Sequence, residues 1–242
     1  MAKISAKNLI LELNGYVFST YASSYEAQQQ SGAIDVTGFS DTAKNYIPGL
    51  AMVDMTITML WDSGAGKTHL ILSPMPSNGL ATVLPEGYYL GCPTLSMPFM
   101  TGNYSPKGTP STALEVGQIK LENYSSDYGI ERGVALTHGI ITATTTGTGV
   151  LDPTNAAVTA ICGGTLQIWT PTTTDTYVVK IQHSPDNSTW ADLITFVSNG
   201  TSVTAERIAN ASGTVNKYRR VLATRTGSAG DSFGFTIHFF HL

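Results

Sequence analysis

SSYEAQQQSGAIDVTGFSDTAKNYIPGLAMVDMTITMLWD, residues 23–62, is the stretch from which the rest of this chain can be read. Its last part alternates strictly. Val53, Met55, Ile57, Met59 and Trp61 fall on one side, and Asp54, Thr56 and Thr58 on the other. A period of two is the signature of a β-strand with one buried and one wet face. Upstream, Ile34 and Val36 begin a strand that stops at Gly38. Ser40–Tyr46, with Ser40 or Asp41 as cap, predicts one or two helical turns, and Pro48-Gly49 then turns the chain. Ser23–Gln30 contains helix formers without an apolar stripe, which predicts a short exposed helix or a loop.

Outward from this stretch the β character continues. With 24 Gly, 11 Tyr and only 12% charged residues, and no long amphipathic helix anywhere, the 242-residue chain reads as mainly β. Its length suits one large β-domain or two smaller ones. Leu9, Leu11 and Leu13 alternate ahead of Asn14-Gly15, a hairpin signal that returns through Tyr16–Phe18. Thr68–Leu72 reads as a strand ended by Pro74, and residues 73–112 as loops and edge strands. A boundary falls near residue 128. Beyond it, Leu166 and Ile168, then Tyr177, Val179 and Ile181, then Trp190–Phe196, Tyr218–Ala223, and Phe233, Phe235, Ile237 and Phe239 mark strands of a sandwich or small barrel. Thr189–Leu193 is a second short helix candidate.

The order I-D-V-T-G-F-S-D-T-A-K-N-Y-I-P-G-L, followed by the strand ending in L-W-D, resembles the major tail (tail tube) proteins of long-tailed, non-contractile bacteriophages of the lambda type. The resemblance runs from about Ile10 to Asp62, and YVVKIQHSPDNSTWADLITF is also similar to segments of such tail proteins. It implies a β-sandwich or barrel of tail-tube type with a short helix over residues 1–128. A second β-sandwich follows over 129–242, either a duplicated tube-type domain or an appended one. It further implies a virion structural protein, assembled in the host cytoplasm, that forms trimeric or hexameric rings of itself. These would stack into the hollow tail tube, meet other tail proteins at the tube ends, and pass DNA through the lumen without specific binding. The short apolar linker around Gly38, Pro48 and Gly49 has little of its own to pack against, so Val36, Phe39, Tyr46, Ile47 and Leu50 are the expected subunit contact.

Charge fits that reading. Residues 1–128 hold six lysines against ten acids, a net charge of −4, and residues 129–242 hold seven basic and seven acidic residues. No basic patch of the kind that holds nucleic acid is present. The start, MAKISAKNLILELNG, lacks a signal peptide's apolar core, and no run reaches the roughly 18 apolar residues of a membrane span, so no membrane partner is expected.

Chemistry is not expected either. Gly66-Lys67-Thr68 ends a phosphate-loop pattern, but Trp61 stands where the pattern needs its first glycine. Cys92 and Cys162 read as buried thiols, and the five histidines are scattered without ligand spacing. No catalytic, cofactor or metal site is expected. The alternative function is a carbohydrate-binding or decorating β-sandwich of the virion, because Lys180–Val221, with W-x-x-L at Trp190 and Y-x-R-V at Tyr218, is similar to galactose-binding-like jelly rolls. The favoured reading there makes Trp190 and Tyr218 core residues and leaves Arg219 and Arg220 solvated.

Overall fold

The computed structural model describes residues 6–40, 42–74, 78–101, 103–110, 113–124, 129–151, 158–159, 161–210 and 214–241. In chain order the first half runs β1 (Ile10–Leu13), β2 (Tyr16–Val17), β3 (Ala22–Asp35), β4 (Tyr46–Leu60), α1 (Thr68–Leu72), β5 (Asn78–Leu84), β6 (Pro93–Thr101), β7 (Pro106–Lys107) and β8 (Glu115–Asn123). Then come β9 (Glu131–Ile141), β10 (Thr145–Thr146), β11 (Val150–Leu151), β12 (Val158–Thr159), β13 (Cys162–Thr170) and β14 (Thr176–Ser184). The chain closes with β15 (Ala191–Thr195), β16 (Thr204–Asn210), β17 (Thr214–Val215), β18 (Tyr218–Thr226) and β19 (Phe233–His241). The fold is mainly β, and its pairings are antiparallel.

Two compact units interleave along the chain. One takes residues 1–21, 79–98 and 131–242, the other residues 22–78 and 99–130. The sequence places a boundary near residue 128. The chain does change unit at Ile130/Glu131, but the first unit also claims two segments from the N-terminal half.

The first unit is a sandwich. A sheet in the order β16-β13-β19-β9-β6-β5-β1-β2 faces a smaller one in the order β10-β18-β14-β15. Between them lie Leu166 and Ile168, Tyr177, Val179 and Ile181, and Phe233, Phe235, Ile237 and Phe239, all buried. These are the alternating residues of the sequence, so a period of two sufficed to find this core.

The larger sheet also curls back on itself. At the β1–β2 turn Asn14 and Gly15 take positive φ (51° and 81°), as a two-residue hairpin turn requires. Gly15 N–H donates to Gln167 Oε1 at 2.7 Å. A Cβ on Gly15 would lie 2.5 Å from Ile168 O and 2.7 Å from Thr204 N, so only glycine allows this closure. The face turned away from the sandwich core is polar yet buried, with Glu12, Thr82, Gln167, Thr236 and His238. Gln167 donates to Thr82 Oγ1 and Leu80 O at 3.0 Å each, and Thr236 Oγ1 donates to Glu12 Oε1 at 2.6 Å.

The second unit is built on one long hairpin. β3 and β4 pair over most of their length, and β8 pairs with β4. Ser23–Gln30, expected as a helix or loop, is strand: its alternating Ser24, Glu26, Gln28 and Gln30 sit opposite Thr58, Thr56, Asp54 and Met52. Pairing to a strand with strong β preference overrides its local helix propensity. Ser40–Tyr46 is not helical either. Asp35 Oδ1 accepts from Thr37 N–H at 2.9 Å, Val36 N–H donates to Asn45 O at 2.9 Å, and Asn45 N–H donates to Thr37 Oγ1 at 3.0 Å, which closes a hairpin loop instead. Near the tip β4 places Gly49 and Leu50 opposite Gly32 alone, a β-bulge.

The one α-helix among the described residues lies elsewhere. Thr68–Leu72, expected as strand, is α1. Thr68 Oγ1 accepts from Asp62 N–H and donates to Leu60 O at 2.8 and 2.9 Å, and His69 N–H donates to Asp62 O at 2.8 Å, winding the chain before β propensity can act. Thr189–Leu193 is also not helical, since Ala191–Thr195 forms β15.

Candidate assembly surfaces

The residues expected at a subunit contact cluster at the tip of the β3–β4 hairpin. Phe39 is 116% exposed and Leu50 94%, and Val36, Tyr46 and Ile47 are about half exposed. None of them is core of the isolated chain. Ile34, where the expected contact segment Ile34–Leu50 begins, is also exposed and lies opposite Ile47, and the structure adds Met52 just beyond that segment.

Below the tip the same hairpin face is polar. Two rows cross the three strands, Gln28–Asp54–Glu122 and Glu26–Thr56–Lys120, while Met55, Ile57, Ile119 and Leu121 on the opposite face are fully buried. Lys120 Nζ lies 3.4 Å from Asp54 Oδ2 and 3.2 Å from Glu122 Oε1. Its hydrogen bond to Glu122, with Asp54 close by, holds the ammonium above its usual range. One cation against Glu26, Asp54 and Glu122 leaves the face acidic. β3 pairs with β4 alone among the described residues, so no strand lies on its far edge, which has no Lys or Pro to block one.

The loop that ends in Gly66-Lys67-Thr68 does open into a helix, as the phosphate-loop pattern demands, yet it is arranged for itself. Asp62 Oδ1 accepts from Gly64 N–H at 2.8 Å and Gly64 O from Lys67 N–H at 3.1 Å, so these amides face inward rather than towards a ligand. His69 is held by Tyr104. Its Nδ1 lies 2.6 Å from the Tyr104 hydroxyl, which also accepts from Trp61 Nε1–H at 3.2 Å. No group of three or more His, Cys, Asp or Glu among the described residues is placed to hold a metal ion.

The second-half cluster departs from the favoured sequence reading. Arg219, expected in solvent, is 1% exposed, with its guanidinium 4.5 Å over the Phe239 ring. Trp190, expected in the core, is partly exposed beneath Arg220 at 4.2 Å. Arg220 Nε–H donates to Gln182 Oε1 at 2.9 Å, Gln182 Nε2 donates to Asp192 Oδ1 at 2.8 Å, and Lys180 Nζ donates to Asp192 Oδ2 at 2.6 Å. These groups satisfy one another and leave one indole face covered by a cation, an arrangement that stiffens the sheet rather than opening a sugar platform.

No protein-family model matches the chain, and no curated protein matches it. Among solved structures, a chain of the virion of a native gene transfer agent particle is similar over 52% of this chain and 96% of its own, at 10% identity and a TM-score of 0.42. The SPP1 Dit (gp 19.1) protein, described as a paradigm of the hub adsorption apparatus in phages infecting Gram-positive hosts, is similar over 97% of this chain and 99% of its own, at 10% identity and a TM-score of 0.36. Likeness of this degree assigns neither an activity nor a partner.

Proposed function

We propose that this protein is a structural subunit of a phage virion that assembles with copies of itself into rings, stacked as a hollow tail tube. The observation that carries the reading is the hairpin. A folded chain that keeps Phe39 and Leu50 almost wholly in water at the end of a long two-stranded arm is incomplete until something covers them. The unpaired edge of β3 offers a route to close a ring by strand addition between copies. The polar, acidic face of β3, β4 and β8 suits a lumen wall, because it would repel phosphates rather than hold them. The sequence resemblance over Ile10–Asp62 points the same way.

The described part of residues 131–242 contains no second hairpin of this length, which favours six chains per ring over three. Counting subunits in a ring tests this: three per ring would mean that the second half also builds the wall.

The decisive experiment is truncation at the tip. Phe39→Ala and Tyr46→Ala are expected to give soluble, folded protein with an unchanged melting temperature that no longer forms tubes under negative-stain microscopy. Intact assembly by both variants, together with the loss of about 3–5 kcal/mol that truncating a core aromatic costs, would place these side chains in a core instead.

A further inference from the structure

His183 turns inward at one end of the sandwich. It follows Tyr177, Val179 and Ile181 on the buried side of β14, and its ladder partners are Arg219 on β18 and Ala191 on β15. Its Nδ1 accepts from the backbone N–H of Asn216 at 3.2 Å. A backbone amide can only donate, so this imidazole is neutral and carries its proton on Nε2. Asn216 follows β17, whose Val215 lies in the sandwich core and pairs with Val158 of β12. One hydrogen bond thus ties the β12–β17 ribbon to the smaller sheet.

The charges around this imidazole are cationic. Arg219 stands beside it in the ladder, buried, with its guanidinium over Phe239 of β19. Lys217, next to Asn216, holds its ammonium over the Tyr218 ring. From β13, Cys162 feels the Arg219 charge, but burial raises its thiol, which therefore stays neutral. The acids of this end are engaged elsewhere: Asp186 accepts from Ser184, Ser188 and Thr189, and Asp192 from Lys180 and Gln182. Burial first, and the Arg219 charge second, hold His183 below its ordinary 6.5.

We propose that His183 is an acid-released latch: a proton on its Nδ1 frees residues 214–217 and opens the β12–β17 ribbon while the two sheets of the sandwich stay paired. The proton removes the acceptor of the Asn216 N–H and sets a second cation beside Arg219. In the opened form the imidazole reaches water and titrates at its ordinary value. Each pH unit below about 6.5 therefore raises the opening equilibrium up to about tenfold, until the closed form also takes the proton. Above that pH the latch holds. Opening uncovers Val215 and the edge of the core behind it. The device lies within one chain and does not depend on the self-assembly reading.

Amide hydrogen exchange followed by NMR, corrected for the intrinsic pH dependence of exchange, tests the latch residue by residue. Protection at Val215 and Asn216 is expected to fall up to about tenfold between pH 6.5 and 5.5, and protection at Val179 in the middle of β14 far less. His183→Gln keeps an acceptor for the Asn216 N–H and cannot titrate, so its protection at the same two amides should stay flat with pH. A fall at Val215 and Asn216 no larger than at Val179 would mean that the whole fold loosens together, and it overturns the proposal. An equal fall in His183→Gln does so as well. The imidazole nitrogen shifts of the wild-type protein give a second measurement that needs no variant. They should show Nδ1 without a proton at pH 7.5 and a pKa below 6.5, and a protonated Nδ1 at pH 7.5 or a pKa at or above 6.5 overturns the latch.

Discussion

Gly133→Ala is expected to cost more than about 3 kcal/mol, at the upper end of what overpacking does, and to lower the melting temperature by about 6–12 °C for a chain of this size. Gly133 lies on β9 opposite Phe240 of β19. A Cβ there would come 1.9 Å from Phe239 O and 2.6 Å from His238 Nε2. The first of these is backbone in the middle of a ladder and cannot swing aside as a side chain could. Gly139, six residues further along the same strand, has open space where its Cβ would go, so Gly139→Ala is the control and should be near neutral. Equal melting temperatures for the two variants would show that β9 and β19 can separate without penalty.

Acid is expected to destabilise the protein as soon as pH falls below about 6.5, and His238 is the reason. It is fully buried, neither ring nitrogen has a partner among the described residues, and burial pushes its pKa from 6.5 down to about 3. The unfolded chain binds this proton below about pH 6.5 while the folded chain refuses it. The stabilisation is therefore complete above that pH and drains away as pH falls towards 3. At pH 4.5 the loss is about 2–3 kcal/mol from this group. The same buried face also holds Glu131, which accepts from Arg207 Nε–H at 2.8 Å, and Glu12, which lies 3.4 Å from His138 Nδ1. His183, lowered chiefly by burial, adds in the same direction. Urea unfolding of wild type and His238→Phe at pH 7.5 and 4.5 isolates the contribution, since the variant should lose distinctly less stability between the two. Identical losses would assign the acid sensitivity to other groups.

What the sequence revealed and what it hid divide along a physical line. The sandwich core was legible because Tyr177, Val179 and Ile181, like Phe233 to Phe239, alternate over whole strands, and burial of one face is a local property. The Asn14-Gly15 hairpin was legible because few residues tolerate positive φ. The helix was misplaced twice for one reason. At Ser40–Tyr46 a loop that Asp35 and Thr37 organise from outside the window takes the place of a helix among the described residues, and at Thr68–Leu72 a β-like run was wound up by hydrogen bonds to Leu60 and Asp62. Arg219 was misread because arginine is nearly always at the surface, and only the fold brings Phe239 beneath its guanidinium. The tip residues could be named from their apolar crowding, but their near-total exposure, and the polar rows beneath them, depend on a register that no single strand displays.

The bulge at Gly32, Gly49 and Leu50 sets the aim of the arm. A Cβ on Gly49 would sit 3.2 Å from Gly32 O, so the two strands touch most closely where the extra residue bends them. Deleting Leu50 would leave the pairs Ala33–Pro48 and Ile34–Ile47 available and every other apolar tip residue in place, yet the ladder would run straight. The steering of the tip is thus separable from its stickiness. A lineage of such chains could change the pitch of its assembly by inserting or removing one residue here, without altering any other contact side chain.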